Sequence, residues 1–547
     1  MQKKVKKKLT LCFLITLVAA FIFTLNGCVY LEKVKKWNET PPIMEVSEET
    51  VRQIDAKEFK VAENQEPVIA ETPAPELPEI QLSIEECRAL TLENNLDLRV
   101  QRINPTLDKE LVKQAEAKFE PSFTGTLRYS KSDTPTASAL EGSKSDSGSI
   151  NMSVNVPLRT GGTLSFGMTD YRNKTNSTWS LMNPSYTTDF KASISHELLR
   201  NAGKNANTHS IRVARYDSRM SDTRTKLQAM QIVSNVDRAY WLLYARRKVL
   251  EVRKQQLDLA EALYEQTKRF VEVGVRPKIE LIRTKSEMAS KREAIILAEN
   301  DVRDSERSLK RTLNKKGLGM ETSTIIIPST LPDPVRYDLD RKLLVKEAIE
   351  NRMELLELEL RLAQDDLNIE NYKNQALPSM TFQYDYNVNG LGRQRDDSYD
   401  LLTDNEYNDH TFNLRFTLPV GNKAAKSKVR RAIYARAQRL TTKESKEAEI
   451  TNDVLNQIDQ VEANWQRILA SRESTILRDE QYKAEKRQFE LGLSVSYDVF
   501  VAQTNLADAQ YTEIRAITDY QISLIELARA TGTLLGASKV EWEPIVP

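Results

Sequence analysis

The sequence is poor in the residues that build metal centres and disulfides. Of its 547 residues, only three are cysteine and three are histidine. Cys12, Cys28 and Cys87 are too far apart for a zinc knuckle, and the histidines show no ligand spacing. The sequence also contains no glycine-rich phosphate loop and no nucleophile elbow. These absences argue against an enzyme, and we expect neither a metal site nor a cofactor.

Glycine, proline and aromatic residues are also scarce, whereas charged residues are abundant. The chain has 17 Gly, 19 Pro and 7% aromatic residues against 29% charged residues. This composition favours long solvated helices over several compact cores. The charges balance to a formal net charge of +1, so no bulk field draws the chain to nucleic acid.

The N-terminus has the pattern of an export signal. Five lysines between positions 3 and 8 precede an apolar run from Leu9 to about Leu25. The run ends in Leu-Asn-Gly-Cys, which resembles a bacterial lipobox, where cleavage before Cys28 leaves its thiol to carry diacylglycerol. We therefore expect residues 1–27 to be a lipoprotein signal peptide. The alternative is an uncleaved anchor, since such a run approaches the roughly 17 residues that span a bilayer.

The segment after this cysteine, residues 28–80, is acidic and contains six prolines between positions 41 and 78. Such a composition predicts an extended, lipidated tether without a core of its own. Val29 stands where an Asp would favour retention in the inner membrane of many bacteria. We therefore expect a lipid-anchored protein of the outer membrane that extends into the periplasm.

The rest of the chain contains two copies of one unit. A gap-free shift of 257 residues aligns Pro121 with Pro378, and a shift of 218 aligns Gly274 with Gly492. Matching Pro and Gly positions make chance similarity between helical sequences a poor explanation, because these residues punctuate structure. We predict a first repeat at 81–320, a linker at 321–340, a second repeat at 341–536 and a C-terminal tail at 537–547.

Each repeat is predicted to run helix, strands, long helix and returning helix. Opening helices of about 36 residues, at 83–118 and 341–375, end before Pro121 and Pro378. Long helices follow at 205–272 and 424–490, and returning helices run to about 313 and 530. The long helices are about 100 Å at 1.5 Å per residue, so an opening and a returning helix together would complete a rod of equal length.

Segments of alternating polarity lie between these helices. Four occur in the first repeat and two in the second, and they begin near Phe123, Ile150, Leu164, Phe190, Met380 and Phe412. Single-chain membrane barrels need about eight strands, so a barrel built from this chain has to be shared between subunits. The alternative is a small soluble sandwich. The fold class is therefore mainly α with membrane β-strands, internally duplicated.

From about Leu82 to Gly536 the sequence resembles the outer membrane efflux protein family, the TolC-like channels. The match is sharpest in RQFELGLSVSYDVFVAQ at 487–503 and in ARATGTLLG at 528–536. The resemblance implies a homotrimer with a shared β-barrel in the outer membrane, continued by a long antiparallel α-helical barrel that closes at the hairpin tips. It also implies a periplasmic adaptor (membrane fusion protein) and an inner-membrane RND, ABC or MFS pump.

This family plan has two strands per repeat, so the four segments of the first repeat are a departure. Arg159 to Gly162 is a plausible tight turn between the middle pair. If all four segments span the membrane, the shared barrel is wider than usual. If they do not, the middle pair is a hairpin packed elsewhere.

The candidate site residues lie at the second-repeat tip and its first-repeat counterpart. The resemblance places Asp498 on the family's tip acid, where three copies on the axis would form a cation-attracting entrance gate; its structural alternative is a helix N-terminal charge. A further acid found in some members is replaced here by Val501. Gly274 and Gly492 are predicted turn formers. The other tip candidates are Leu493, Val495 and Val499, as an adaptor patch or hairpin packing, and Glu280, the counterpart of Asp498.

The predicted function is an outer-membrane channel of a tripartite efflux or type I secretion system, a passive conduit to the exterior. The rival is a lipid-anchored periplasmic coiled-coil scaffold or adaptor without a pore. That rival explains the signal and the helices but leaves the amphipathic strands without a role. Pro121 and Pro378 mark the helix-to-strand transitions in either case.

Replacing Cys28 with Ser should abolish incorporation of a fatty-acid analogue into the protein, because the acceptor thiol is lost. Metabolic labelling followed by gel fluorescence measures this. Cys87→Ser is the matched control and should keep the full label. Label retained on Cys28→Ser would contradict lipidation at this residue.

Overall fold

The computed structural model describes residues 78–137 and 142–540. The predicted signal peptide, Cys28 and nearly all of the predicted tether lie outside the described residues. The chain divides into two compact units. The sheet unit holds residues 119–198 and 380–416, and the helical unit holds the remaining described residues.

The sheet unit contains a single antiparallel six-stranded sheet. All six segments of alternating polarity are strands, and their order in the sheet is β2-β3-β4-β5-β7-β8. The middle pair of the first repeat therefore belongs to this sheet and does not pack elsewhere. The strands are β2 (Ser122–Asp133), β3 (Lys144–Pro157), β4 (Gly162–Thr175), β5 (Ser185–Glu197), β7 (Ser379–Gly392) and β8 (Asn408–Thr417).

Short and long connections leave the sheet at opposite ends. Ser122 pairs with Asn155, and Gly162 pairs with His196, so the connections to the helices share one end with the turn between β3 and β4. That turn is tight: Leu158 N donates to Gly162 O over 2.7 Å, and Gly161 takes a φ of 98°, which suits glycine. The three longer connections, 134–143, 176–184 and 393–407, leave from the other end.

The helical unit carries both long hairpins and a small parallel strand pair. The two long helices, His209–Glu272 and Lys423–Glu490, have 64 and 68 residues, close to the predicted lengths. In chain order the elements are β1 (Glu79–Leu82), α1 (Ile84–Asn94), α2 (Leu96–Glu116), α3 (Lys204–Asn207), α4 (His209–Glu272), α5 (Lys278–Leu313), β6 (Ile325–Pro328), α6 (Arg341–Asn351), α7 (Met353–Gln375), α9 (Lys423–Glu490), α10 (Ser496–Ala530) and α11 (Leu534–Ala537).

The helices pack as a single layer of four rods. Helices α2 and α5 both pack along α4, and α7 and α10 both pack along α9. Helix α4 in turn contacts α7 and α10. The order across the layer is thus α2 with α5, then α4, then α7 with α10, then α9. The layer therefore contains the predicted two continuous and two composite rods.

Each predicted opening helix is broken, which corrects the expectation of one 36-residue helix. The break falls at Asn95 and at Arg352, both in extended backbone with ψ of 126° and 122°. These positions are related by the 257-residue shift. The Asn95 amide donates to Thr312 O over 3.1 Å, and the Arg352 guanidinium donates to Ala530 O over 3.1 Å. Each broken helix is thus tied to the end of its returning helix.

The acceptors at these breaks are themselves equivalent, since Thr312 and Ala530 are related by the 218-residue shift. Two residues after these acceptors, Asn314 and Gly532 both adopt positive φ, at 44° and 74°. Asn314 donates to Asn94 O over 3.0 Å, whereas at Gly532 a Cβ would crowd the backbone of Asn351. The joint between short helices is therefore built twice with different side chains.

The largest apolar core lies where β1 pairs with β6 and helices α1, α4 and α5 meet. Strand β6 lies within the predicted linker, which is therefore structured at 325–328. Tyr240 and Trp241 are buried at its centre with ring centroids 5.5 Å apart. Cys87 is fully buried there, and burial raises the pKa of its thiol to about 12. This thiol is unreactive at neutral pH.

No helix within residues 78–137 and 142–540 is long and apolar enough to cross a membrane.

Within the largest apolar core, a buried ion pair joins α1 to α4. The Arg88 guanidinium binds both carboxylate oxygens of Asp237, at 2.7 and 2.8 Å. Burial raises the pKa of Asp237, and the paired guanidinium opposes this shift.

Arg88→Met should destabilise the protein by about 3–5 kcal/mol at pH 8, because it leaves a buried carboxylate without a partner. The loss should shrink as the pH falls. The folded pKa of Asp237 rises further without Arg88, so protonation relieves the buried charge in the folded state first. Thermal unfolding in detergent, followed by circular dichroism at several pH values, measures this.

The matched control is Arg88→Met combined with Asp237→Leu, which removes the charge together with its partner. This double variant should recover most of the lost stability. A single Arg88→Met variant as stable as the wild type at pH 8 would contradict the role of the pair.

Candidate functional site

The two hairpin tips have the same backbone geometry. Gly274 and Gly492 both adopt a φ of +79°. In each tip the residue after the glycine closes a Schellman motif: Val275 N donates to Phe270 O over 2.8 Å, and Leu493 N donates to Gln488 O over 2.9 Å. Space does not require these glycines, because a Cβ would meet nothing within 4 Å. The positive φ alone explains them.

A small apolar cluster lies directly behind the tips. It contains Phe489 and Phe500, with the Phe489 and Phe270 rings 5.8 Å apart. Val499 belongs to this cluster and is only 2% exposed. The sequence analysis offered two interpretations of Val499, an adaptor patch or packing between hairpins. Its burial favours packing between hairpins.

One cation joins the two tips. Arg276, in the first turn, donates to Ser494 O in the second turn over 2.6 Å. Its guanidinium also lies 5.4 Å from the centroid of the Phe489 ring, within range of a cation–π interaction. The turns are thus held together through a charged hydrogen bond and a stacked aromatic ring.

Glu280 and Asp498 occupy equivalent positions but have different surroundings. The Glu280 carboxylate is 5% exposed, accepts a hydrogen bond from Ser496 and pairs with Arg283 at 3.0 Å. Asp498 is exposed, and its carboxylate accepts from Ser494 Oγ and Val495 N at 3.2 and 3.4 Å. The longer Glu280 side chain reaches the other hairpin, whereas Asp498 caps the start of its own helix.

Apolar side chains project into solvent around both glycines. Leu493 is 77% exposed, and Leu491, Val273 and Val275 are 65–73% exposed. Of these four residues, the sequence analysis named only Leu493. The 218-residue shift relates Leu493 to Val275, so it would also have identified Val275, whereas it relates Leu491 only to Val273. Next to the tips, a groove of about 550 Å³ runs between α5 and α10, lined by Ile282, Arg283, Tyr497, Val501 and Thr504 among others.

In the sheet unit, apolar side chains form continuous rows across neighbouring strands on one face. Register alone defines these rows, because side chains paired across a ladder lie on the same side of the sheet. One row crosses five strands as Phe123, Val154, Phe166, Ala192 and Tyr386. A parallel row has Gly125, Met152, Met168, Phe190 and Val388.

The opposite face is mainly polar, and most of its residues are small. One of its rows is Thr124, Ser153, Gly167, Lys191 and Asn387. Its charges are partly paired, as in the 3.1 Å contact between Lys191 and Asp385. None of the apolar clusters among the described residues includes a residue of this sheet. Neither face is therefore the wall of a hydrophobic core.

A ten-residue helix, α8 (Arg395–Asp404), packs at the far end of the apolar face. Ser398 Oγ lies 2.8 Å from the hydroxyl of Thr188, and Arg395 pairs with Asp170 at 3.0 Å. Asp170 and Thr188 are register partners that follow the apolar rows along their strands. The apolar band therefore ends where α8 begins. Sequence reasoning missed this helix, although Gln394 and Asp397 form a capping box at its start.

Pro121 and Pro378 lie at helix-to-strand transitions. Pro121 stands between a 3₁₀ turn at Ala117–Phe119 and β2, and Pro378 stands between α7 and β7.

Among the described residues, no group of three or more His, Cys, Asp or Glu is arranged to hold a metal ion.

A family model described as "Outer membrane efflux protein" matches residues 163–315 and 344–533, more than half of the chain. The chain belongs to the outer membrane efflux protein family. Its matched segments contain β4, β5, β7, β8 and all four helices of the two hairpins. The resemblance seen in the sequence is confirmed.

Individual known proteins are also similar to this chain. Outer membrane protein TolC of Vibrio cholerae serotype O1 is 25% identical over 334 residues, which cover 59% of this chain and 73% of that protein. Among solved structures, CusC matches with a TM-score of 0.61 and 13% identity, covering 88% of this chain and 99% of CusC. The MtrE outer membrane channel of Neisseria gonorrhoeae matches with a TM-score of 0.59 and 15% identity, covering 88% and 98%.

Asp498→Asn should reduce block of the channel by cations roughly tenfold if three copies face a common axis. Three carboxylates at about 8 Å from an axial ion each contribute about 0.5 kcal/mol in water, and Asn keeps the capping hydrogen bonds. Single-channel recording in bilayers measures this. Glu280→Gln is the matched control and should leave block unchanged, because Glu280 is buried. Unchanged block in Asp498→Asn would contradict the axial position.

Proposed function

We propose that this chain is the outer-membrane channel of a tripartite export system and forms a passive conduit from the periplasm or an inner-membrane pump to the exterior. Membership of the outer membrane efflux protein family supports this. The observation that carries it is the two-faced sheet, whose apolar face has no covering core. In water such a face is a liability, whereas in a membrane it is matched by lipid.

The strands have the dimensions that a membrane requires. They are 10–14 residues long, and a tilted strand needs about 9–11 residues to cross. The short β3–β4 turn and the helical connections share one end, as on the periplasmic side of outer-membrane barrels. The Ser, Thr and Asn residues of the opposite face suit a water-filled lumen.

Edges that one chain leaves open require further copies, and a homotrimer would supply them. Strands β2 and β8 lie at the two edges of the sheet, and both are largely exposed. An open edge is not tolerated in hydrocarbon, because each unpaired backbone group costs several kcal/mol. β2 and β8 run in opposite directions, so β8 of one copy can continue the antiparallel ladder on β2 of the next.

The helical layer, like the sheet, has two open edges. Its outer rods, α9 on one side and α2 with α5 on the other, each pack along one neighbouring rod. Helix α2 carries an exposed stripe at heptad-like spacing: Leu96, Val100, Ile103, Leu107 and Leu111. Such a stripe is the seam of a helix–helix interface. On the other edge, α9 exposes Ile433, Tyr434 and Leu440, and this face suits the next copy.

The hairpin tips are the docking region in this proposal. The exposed Val273, Val275, Leu491 and Leu493 and the groove between α5 and α10 suit a periplasmic adaptor protein, which would connect the channel to an RND, ABC or MFS pump. The channel performs no chemistry itself. We further propose that lipid on Cys28 anchors the mature chain in the outer membrane.

A pore-free periplasmic scaffold remains the second candidate, and it accounts for the long helices. It gives the apolar face of the sheet no partner, so the geometry favours the channel. The two candidates differ in whether the protein inserts into a membrane and whether it conducts ions.

Purified protein should run as a heat-dissociable trimer and produce discrete conductance steps in planar bilayers, because closing the ladder creates a lined pore. Cross-linking and single-channel recording measure these properties. The matched control replaces Val154 and Phe166 on the apolar face with Asp, which should abolish insertion; charges at Ser153 and Gly167 on the polar face should not. A water-soluble monomer without conductance would contradict the proposed channel.

A further inference from the structure

The first repeat contains one more strand pair than the second. The 257-residue shift aligns β2 with β7, and the 218-residue shift aligns β5 with β8. The two shifts differ by 39 residues, and the surplus falls between β2 and β5. The residues there are β3, the turn after Pro157, and β4, with their flanking loop residues.

This surplus hairpin is fully integrated into the sheet. β3 pairs with β2 over twelve successive residues, from Asn155 to Lys144, and β4 pairs with β5 from Gly162 to Asn173. Each of these pairings extends nearly to the ends of the strands. The hairpin thus separates β2 from β5 by two complete strands.

The hairpin also has the same two faces as its neighbours. Met152 and Val154 of β3, and Phe166 and Met168 of β4, complete the apolar rows between β2 and β5. Their chain neighbours on the other face are Ser, Asn, Thr and Gly. A one-residue slip of register would place these apolar side chains on the polar face, and no such slip occurs.

Resting on the proposed trimeric channel, we infer that β3 and β4 span the membrane as an inserted hairpin, so that three copies close a barrel of 18 strands. Without this hairpin each copy would supply four strands, and the trimer would have 12. Barrel diameter grows roughly linearly with strand number at constant tilt. The outer-membrane part of this channel is then about half as wide again as a 12-stranded one.

The chemistry of the wider lumen follows from its lining. Opposite the apolar rows, the inserted strands place small polar side chains on the inner face, such as Asn151, Ser153, Ser165 and Thr169. The bulky exception is Tyr171, which lies further along β4 on the same face. A wide, hydroxyl- and amide-lined passage suits large hydrated cargo, so the tips and not the barrel would set the constriction.

Site-specific quenching tests this inference. Single cysteines at Met152 and Phe166 are labelled with a fluorophore in a Cys87→Ser background, and the protein is reconstituted in vesicles of tail-brominated phospholipid. We expect quenching at both positions at least twofold stronger than at Ser153→Cys and Ser165→Cys, the matched polar-face controls. Labels at Leu127 and Phe412, on edge strands β2 and β8, report whether the sheet is inserted at all.

The outcomes separate the two proposals. Strong quenching at Leu127 and Phe412 with none at Met152 and Phe166 would overturn the inserted hairpin and leave the channel standing. Absence of quenching at all four positions would overturn the channel itself. Electron microscopy of the trimer in nanodiscs gives an independent count: 18 strands support the inference, and 12 strands refute it.

Discussion

Backbone hydrogen bonding at the two edges of the sheet is the constraint on which the rest of the structure depends. Strands β2 and β8 each present an unpaired row of amide and carbonyl groups, which water satisfies but hydrocarbon cannot. The apolar rows make hydrocarbon the natural surroundings of the sheet. Those two demands are compatible only when further copies supply the missing ladder partners. The exposed apolar stripe on α2 likewise leaves the helical layer with side chains that a further copy would cover in water.

Duplication gives this architecture its regularity, and the two copies are not equally constrained. The joint between short helices recurs at Asn95 and Arg352, and each side chain donates to an equivalent helix-end carbonyl. Different side chains satisfy one geometric need, because the acceptor lies at the same place in both copies. At the tips the reverse holds: identical glycine turns carry acids of different length, and Glu280 and Asp498 consequently face different surroundings.

Local patterns were sufficient to predict most of the fold. Period-two alternation identified all six strands. The Pro positions identified the ends of the opening helical segments, and the Gly positions identified the ends of the long helices. The breaks at Asn95 and Arg352 were missed because their partners, Thr312 and Ala530, lie about 180 to 220 residues away, so no local signal marks them. Helix α8 was missed because its burial depends on Thr188 and Asp170 of distant strands. At the tips, sequence identified the turn glycines but not which acid is buried, since that depends on a contact between hairpins.

The surplus hairpin has a consequence for how such a sheet can grow. Because neighbouring strands alternate in direction, adding two strands returns the chain to the end of the sheet from which it leaves for α4. A single added strand would deliver the chain to the opposite end and reverse every element after it. Strands can therefore be added to this sheet only in pairs. One such step adds two connections: the tight turn at Gly161 and one longer loop at the other end of the sheet.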